Sequence, residues 1–145
     1  MHVIGVDRVM IATWDMDQTV GQFEALLGIS FSDVLEPTTD TDSGEQAVAN
    51  VISPSGVEIL TPREDGNEVS RFLEENGPGL YAVSIRVADL EAAVSELSEQ
   101  DVEPVGEYAH GEFAEAFYHP RNFGGAFVIL AEYDAPHPAV TASLE

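Results

Sequence analysis

The chain contains one pattern twice, and this limits its fold more than any other feature of the sequence. Residues Arg8 to Leu26 lie over Ala82 to Gln100 without a gap, at a constant offset of 74. Val9 then meets Val83, Ile11 meets Ile85, Asp15 meets Asp89, Met16 meets Leu90, Val20 meets Val94 and Phe23 meets Leu97. Apolar residues two apart give way to an aspartate and then to apolar residues three and four apart, so each copy reads as a strand followed by a capped helix. A period near half of 145 residues points to two fused copies of one module in a pseudo-symmetric domain, whereas a solenoid needs several shorter repeats.

In the first copy, Val3 to Thr13 is expected as a strand. Asp15 caps a helix with Gln18 at the capping-box position, and Met16, Val20, Phe23 and Leu27 form one face that ends at Gly28. A short strand Phe31 to Leu35, a polar loop Glu36 to Glu45, and strands Gln46 to Ile52 and Val57 to Leu60 joined by the turn Ser53-Pro54-Ser55-Gly56 complete it. A connector helix begins near Asn67 and stops at Asn76-Gly77-Pro78. In the second copy a strand Leu80 to Val87 leads to a helix capped by Asp89, with Leu90, Ala93, Val94 and Leu97 inward. Strands follow near Val102 to Val105, Phe113 to His119 and Ala126 to Ala131. The fold class is therefore α+β. Two βαβββ modules, 3–62 and 79–132, flank a connector helix 67–77 in a single domain 1–133, followed by a C-terminal tail 134–145.

Charge narrows the function. Twenty-seven Asp and Glu face five basic residues, all Arg, for a formal charge of −22. Regular apolar periodicity and dispersed aromatics place that charge on a folded surface rather than on a disordered chain. Such a surface repels itself, and multimolar salt, with a Debye length of about 3 Å, removes the repulsion. The composition resembles that of proteins from extreme halophiles. Nucleic acid and anionic membranes require a basic face and are not expected as partners. No basic leader and no bilayer-length apolar run are visible, which predicts a cytoplasmic protein. The absence of cysteine removes disulfides and thiolate metal sites.

The paired modules carry three further segments: Gly56-Val57-Glu58-Ile59-Leu60-Thr61-Pro62, Arg71-Phe72-Leu73-Glu74-Glu75-Asn76-Gly77-Pro78-Gly79-Leu80, and His119-Pro120-Arg121-Asn122-Phe123-Gly124-Gly125. Together these resemble the vicinal-oxygen-chelate (glyoxalase, bleomycin-resistance and dioxygenase) superfamily, and within it the methylmalonyl-CoA epimerases, over residues 3 to about 133. The resemblance implies a homodimer and a divalent metal in a cup lined by the sheets, with one ligand from each of four strands. The four positions fall on Arg8, Ala82, Glu58 and Ile129, or Val128 if the alignment slips by one. A single carboxylate cannot replace the waters that a divalent ion gives up. No cofactor is expected, and a divalent metal only if a site has been rebuilt. His110, Glu112 and His119 have suitable spacing for that, but solvated loop residues account for them equally well; His2 is terminal and His137 lies in the tail.

Strand parity indicates what lines the cup instead. If Val9, Ile11, Val83 and Ile85 face the helices, then Arg8, Met10, Ala82, Ser84 and Arg86 face the other way, joined by Glu58, Leu60, Phe127 and Ile129. Arg8 is expected to pair with Glu58 in the metal's place; the alternative leaves Arg8 at the sheet edge in solvent, or paired with Asp7 or Asp15. Candidate ligand-binding residues are Arg8, Met10, Ser84, Arg86, Phe127 and Ile129, although the apolar three also read as core. Two arginines on one face favour a carboxylate or phosphate. Arg121 is either a third anchor or a turn residue.

Three function classes follow. The leading expectation is a metal-free protein of this fold that binds a small anionic or acyl-type ligand. The alternative is an isomerase or lyase of epimerase or glyoxalase type, with Glu58 as general base and Arg8 or Arg86 stabilising an enolate. The third is a non-catalytic dimeric subunit.

Overall fold

The computed structural model describes residues 1–35 and 48–134. The expected loop Glu36 to Glu45, the first two residues of the strand Gln46 to Ile52, and the tail from residue 135, with His137, lie outside the described residues. Seven strands and three α-helices are present among those described: β1 Val3–Ala12, α1 Met16–Leu27, β2 Val48–Ile52, β3 Val57–Pro62, α2 Glu68–Asn76, β4 Gly79–Val87, α3 Leu90–Ser98, β5 Gly106–His110, β6 Phe113–Tyr118 and β7 Phe127–Glu132. The class is α+β, as the repeat predicts. No helix among the described residues is long and apolar enough to cross a membrane.

The duplicated aspartates act alike. Asp15 accepts the Gln18 N–H at 3.0 Å and Asp89 the Ala92 N–H at 3.1 Å, each satisfying an orphan donor of a helix's first turn. Asn67 does the same for α2, accepting from Ser70 at 2.8 Å. Helix α1 ends where Gly28 turns left-handed (φ 68°), a conformation that costs glycine little.

The chain divides into two compact units. One takes Met1–Val9 together with the chain from Ala82, and the other takes Met10–Tyr81. In the first, strands run in the order β1-β4-β7-β6-β5. β4 is parallel to β7 with Ser84 opposite Ile129 and Arg86 opposite Ala131, and β6 is antiparallel to both β7 and β5. Helix α3 covers one face, where Leu90 and Ala93 pack with Val83, Ile85, Val87, Ala116, Tyr118, Val128 and Leu130. Because successive residues of a strand point to opposite faces, Ser84, Arg86, Glu115, Phe117, Phe127 and Ile129 lie on the face without the helix. The parity expected for Val83 and Ile85 is the one observed.

In the second unit β2 and β3 form an antiparallel hairpin, closed by Ser53 N–H to Val57 C=O at 2.8 Å and Gly56 N–H to Ser53 C=O at 3.0 Å. Met16 of α1 packs on Ala49, Val51 and Ile59, supported by Val20, Phe23, Phe31 and Val57. Glu58 and Leu60 therefore occupy the opposite side of β3.

Two expected strands differ. Phe31 to Leu35 forms no regular strand: Ser32 N–H donates to Ile52 C=O at 2.9 Å and Leu35 bridges to Asn50, but the Ser32 hydroxyl takes the Ile52 N–H at 3.0 Å where a regular ladder would use a backbone carbonyl. Val102 to Val105 is not a strand. Val102 N–H closes the end of α3 on Leu97 C=O, Pro104 has no N–H to give, and pairing with β6 begins only where Val105 N–H donates to Phe117 C=O at 2.7 Å, ahead of β5 from Gly106.

Candidate active site

A buried polar network occupies the helix-free face of the unit made by Met1–Val9 and the chain from Ala82. Arg8 on β1 is 5% exposed. Its Nη1 donates to Asp7 Oδ2 at 2.5 Å and to Ser84 Oγ at 3.3 Å, and its Nη2 donates to Glu115 Oε2 on β6 at 2.6 Å. The Ser84 hydroxyl in turn reaches Asp7 Oδ2 at 3.5 Å. Tyr133, just past β7, donates its hydroxyl to Asp7 Oδ1. Burial, then the bond to Asp7 and that residue's charge, pushes the Tyr133 phenol far above the usual tyrosine range; Arg8 and Arg86 pull the other way. A phenol so held remains a hydrogen-bond donor.

Arg86 completes the network from β4. Its Nη2 donates to the Tyr133 carbonyl at 2.5 Å and its guanidinium lies 4.5 Å from the centre of the Tyr133 ring, a cation–π geometry. Its Nε is buried with no hydrogen-bond partner. Apolar walls surround these groups. Phe113, Ala131 and Tyr133 form one cluster with Tyr108 packed against it, and Phe117 stacks on Phe127 with centroids 6.3 Å apart.

Of the residues named from sequence, Arg8, Ser84, Arg86, Phe127 and Ile129 fall together on this face. Met10 and Glu58 belong to the other unit. Met10 is buried in β1, and Glu58, 6% exposed, accepts from Asn50 Nδ2 of β2 at 3.4 Å. The solvent-facing alternative for Arg8 is corrected by its burial, while its pairing with Asp7 is present. Arg121 is exposed on the turn Pro120–Asn122, where its N–H donates to His119 Nδ1 at 3.0 Å. His119 is thus the cap of that turn, and His110 and Glu112 are exposed.

Sequence reasoning missed Glu115 and Tyr133, and named Asp7 only as an alternative partner of Arg8. The Glu115 signal was present: in Phe113-Ala114-Glu115-Ala116-Phe117 the carboxylate alternates with two aromatics, so it shares their face. Asp7 gave no such signal, because neighbours on a strand point apart.

A divalent metal does not fit the residues at the positions the resemblance implies. A guanidinium already held by two carboxylates stands at the first, the methyl of Ala82 at the second and the Ile129 side chain at the fourth, leaving one carboxylate donor. Among the described residues no three His, Cys, Asp or Glu side chains gather in a way that could hold a metal ion.

Comparison with known proteins agrees with this architecture. The ethylmalonyl-CoA/methylmalonyl-CoA epimerase of Cereibacter sphaeroides is 28% identical over 133 residues, covering 88% of this chain and 96% of that one. The crystal structure of methylmalonyl-CoA epimerase from Mycobacterium tuberculosis superposes with a TM-score of 0.76 at 26% identity, covering 97% and 93%. A hypothetical protein from Bacillus halodurans shares the fold, with a TM-score of 0.76 at 20% identity over 91% and 96%. Residues 7–118, which hold the repeat and most of the polar network, match the family model; the chain belongs to the Glyoxalase/Bleomycin resistance protein/Dioxygenase superfamily.

Proposed function

We propose that this protein inverts the α-carbon of a 2-carboxyacyl coenzyme A thioester. The observation that carries the reading is the end-to-end similarity to an ethylmalonyl-CoA/methylmalonyl-CoA epimerase, covering 88% of this chain. This places the alternative drawn from sequence ahead of ligand binding alone. The reaction breaks the α C–H bond, its proton passing to the general base and its electron pair into the thioester carbonyl as an enolate, and a solvent proton then adds at the opposite face. Glu58 is proposed as the general base, being a buried carboxylate on a regular strand, steadied by the Asn50 amide. A homodimer is the proposed assembly.

The test is deuterium incorporation at C2 of methylmalonyl-CoA in D2O, followed by proton NMR. The protein is expected to exchange that proton, and Glu58→Gln to slow exchange by roughly 10² to 10⁴-fold while the thioester still binds. Failure of the wild-type protein to exchange it refutes the reading. A second reading, binding without turnover, is favoured by Arg8, Ala82 and Ile129 at the implied ligand positions, and gives a bound thioester whose C2 proton never exchanges.

A further inference from the structure

The five arginines are the chain's entire stock of basic side chains, set against 27 acidic ones. Arg8 is held by Asp7 and Glu115, and Arg71 lies 3.6 Å from Glu68. Arg86 differs. It is half-buried on the helix-free face, yet among the described residues it makes no ion pair, and its one hydrogen bond goes to a neutral carbonyl. Taking a guanidinium out of water without a counter-charge is unfavourable, and the Tyr133 ring offsets only part of that cost. The buried Nε has no acceptor among the described residues. In so acidic a chain a carboxylate partner was readily available, and among the described residues none pairs with it.

We propose that Arg86 reads the free carboxylate of the substrate, its guanidinium offering the planar donor edge that a carboxylate fits. The Tyr133 ring and carbonyl fix the plane of the guanidinium before the ligand arrives, so little side-chain freedom is lost on binding. Arg8 does not take this role, since its charge is already met by two carboxylates. Arg86 is then the residue that separates a 2-carboxyacyl thioester from a plain acyl thioester. This inference rests on the acyl-CoA reading above.

Calorimetric titration with methylmalonyl-CoA and with propionyl-CoA, which differ by that carboxylate, tests it at fixed KCl. The wild-type protein is expected to prefer methylmalonyl-CoA by roughly ten- to a hundredfold, the range for a hydrogen-bonded charged group. Arg86→Gln is expected to abolish the preference and leave propionyl-CoA affinity within about twofold. Arg86→Lys keeps the charge and the stem, serves if the first variant does not fold, and is expected to lose most of the preference because a point charge cannot replace the planar edge. Equal weakening of both ligands by Arg86→Gln, or full preference retained in either variant, overturns the inference. Binding of both thioesters without preference by the wild-type protein overturns it alone, whereas binding of neither overturns the acyl-CoA reading with it.

Discussion

Replacing Arg8 by methionine removes the positive charge shared by two carboxylates. The Arg8 and Glu115 side chains are 5% and 9% exposed, with Nη2 and Oε2 2.6 Å apart, so water cannot readily take over the lost contacts. Removing one partner of a buried ion pair costs about 3–5 kcal/mol. For a chain of this size each kcal/mol lowers Tm by about 3–4 °C, which gives a drop of about 9–20 °C. The companion double variant Arg8→Met/Glu115→Leu removes both charges and fills the space with apolar atoms, and is expected to recover about 1–3 kcal/mol of the loss. Thermal and urea unfolding followed by circular dichroism at constant KCl measure all four corners of the cycle. An Arg8→Met protein melting within about 3 °C of wild type, or a double variant that is simply the sum of the singles, would refute the idea that the guanidinium holds this face together.

Two further outcomes are expected. With a formal charge of −22, Tm should rise steadily as KCl increases from about 0.2 to 3 M, since the Debye length falls to a few ångströms; a flat or falling profile would contradict the halophile-like reading of the surface. Tyr133 and Tyr118 are both raised above ordinary tyrosine, chiefly by burial, and should ionise above the usual value of about 10 when absorbance at alkaline pH is followed. Because the folded value lies above the unfolded one of about 10, the stability from the Tyr133–Asp7 bond is complete below that pH and is lost as pH rises through the folded value. Tyr133→Phe should remove the latest step from the titration; an unchanged late step would assign it to another residue.

What could be read from the sequence was whatever short-range chemistry determines. Asp15 and Asp89 declare helix starts because their side chains bond only three residues ahead, and the Ser53 to Gly56 turn sets its own hairpin. Parity carried Arg8, Ser84, Arg86, Phe127 and Ile129 to one face without knowledge of the partners across the sheet. Failures came where a side chain outcompeted the backbone, as at Ser32, or where Pro104 delayed a strand that Val102 and Val105 advertised. The partners of Arg8 were harder still, since Glu115 lies 107 residues away and which acidic residue meets it depends on register between strands that no local rule sets.

The bond from Tyr133 to Asp7 spans 126 positions of the chain. Ribosomes add about 5–20 residues per second, so Asp7 exists for about 6–25 s before its partner has been made. For most of that interval β1 carries Asp7 and Arg8 in a nascent chain to which β6 and β7 have yet to be added. The unit around the arginine network can close only after Tyr133 has been made, whereas α1, β2, β3 and α2 of Met10–Tyr81 are at hand by mid-chain.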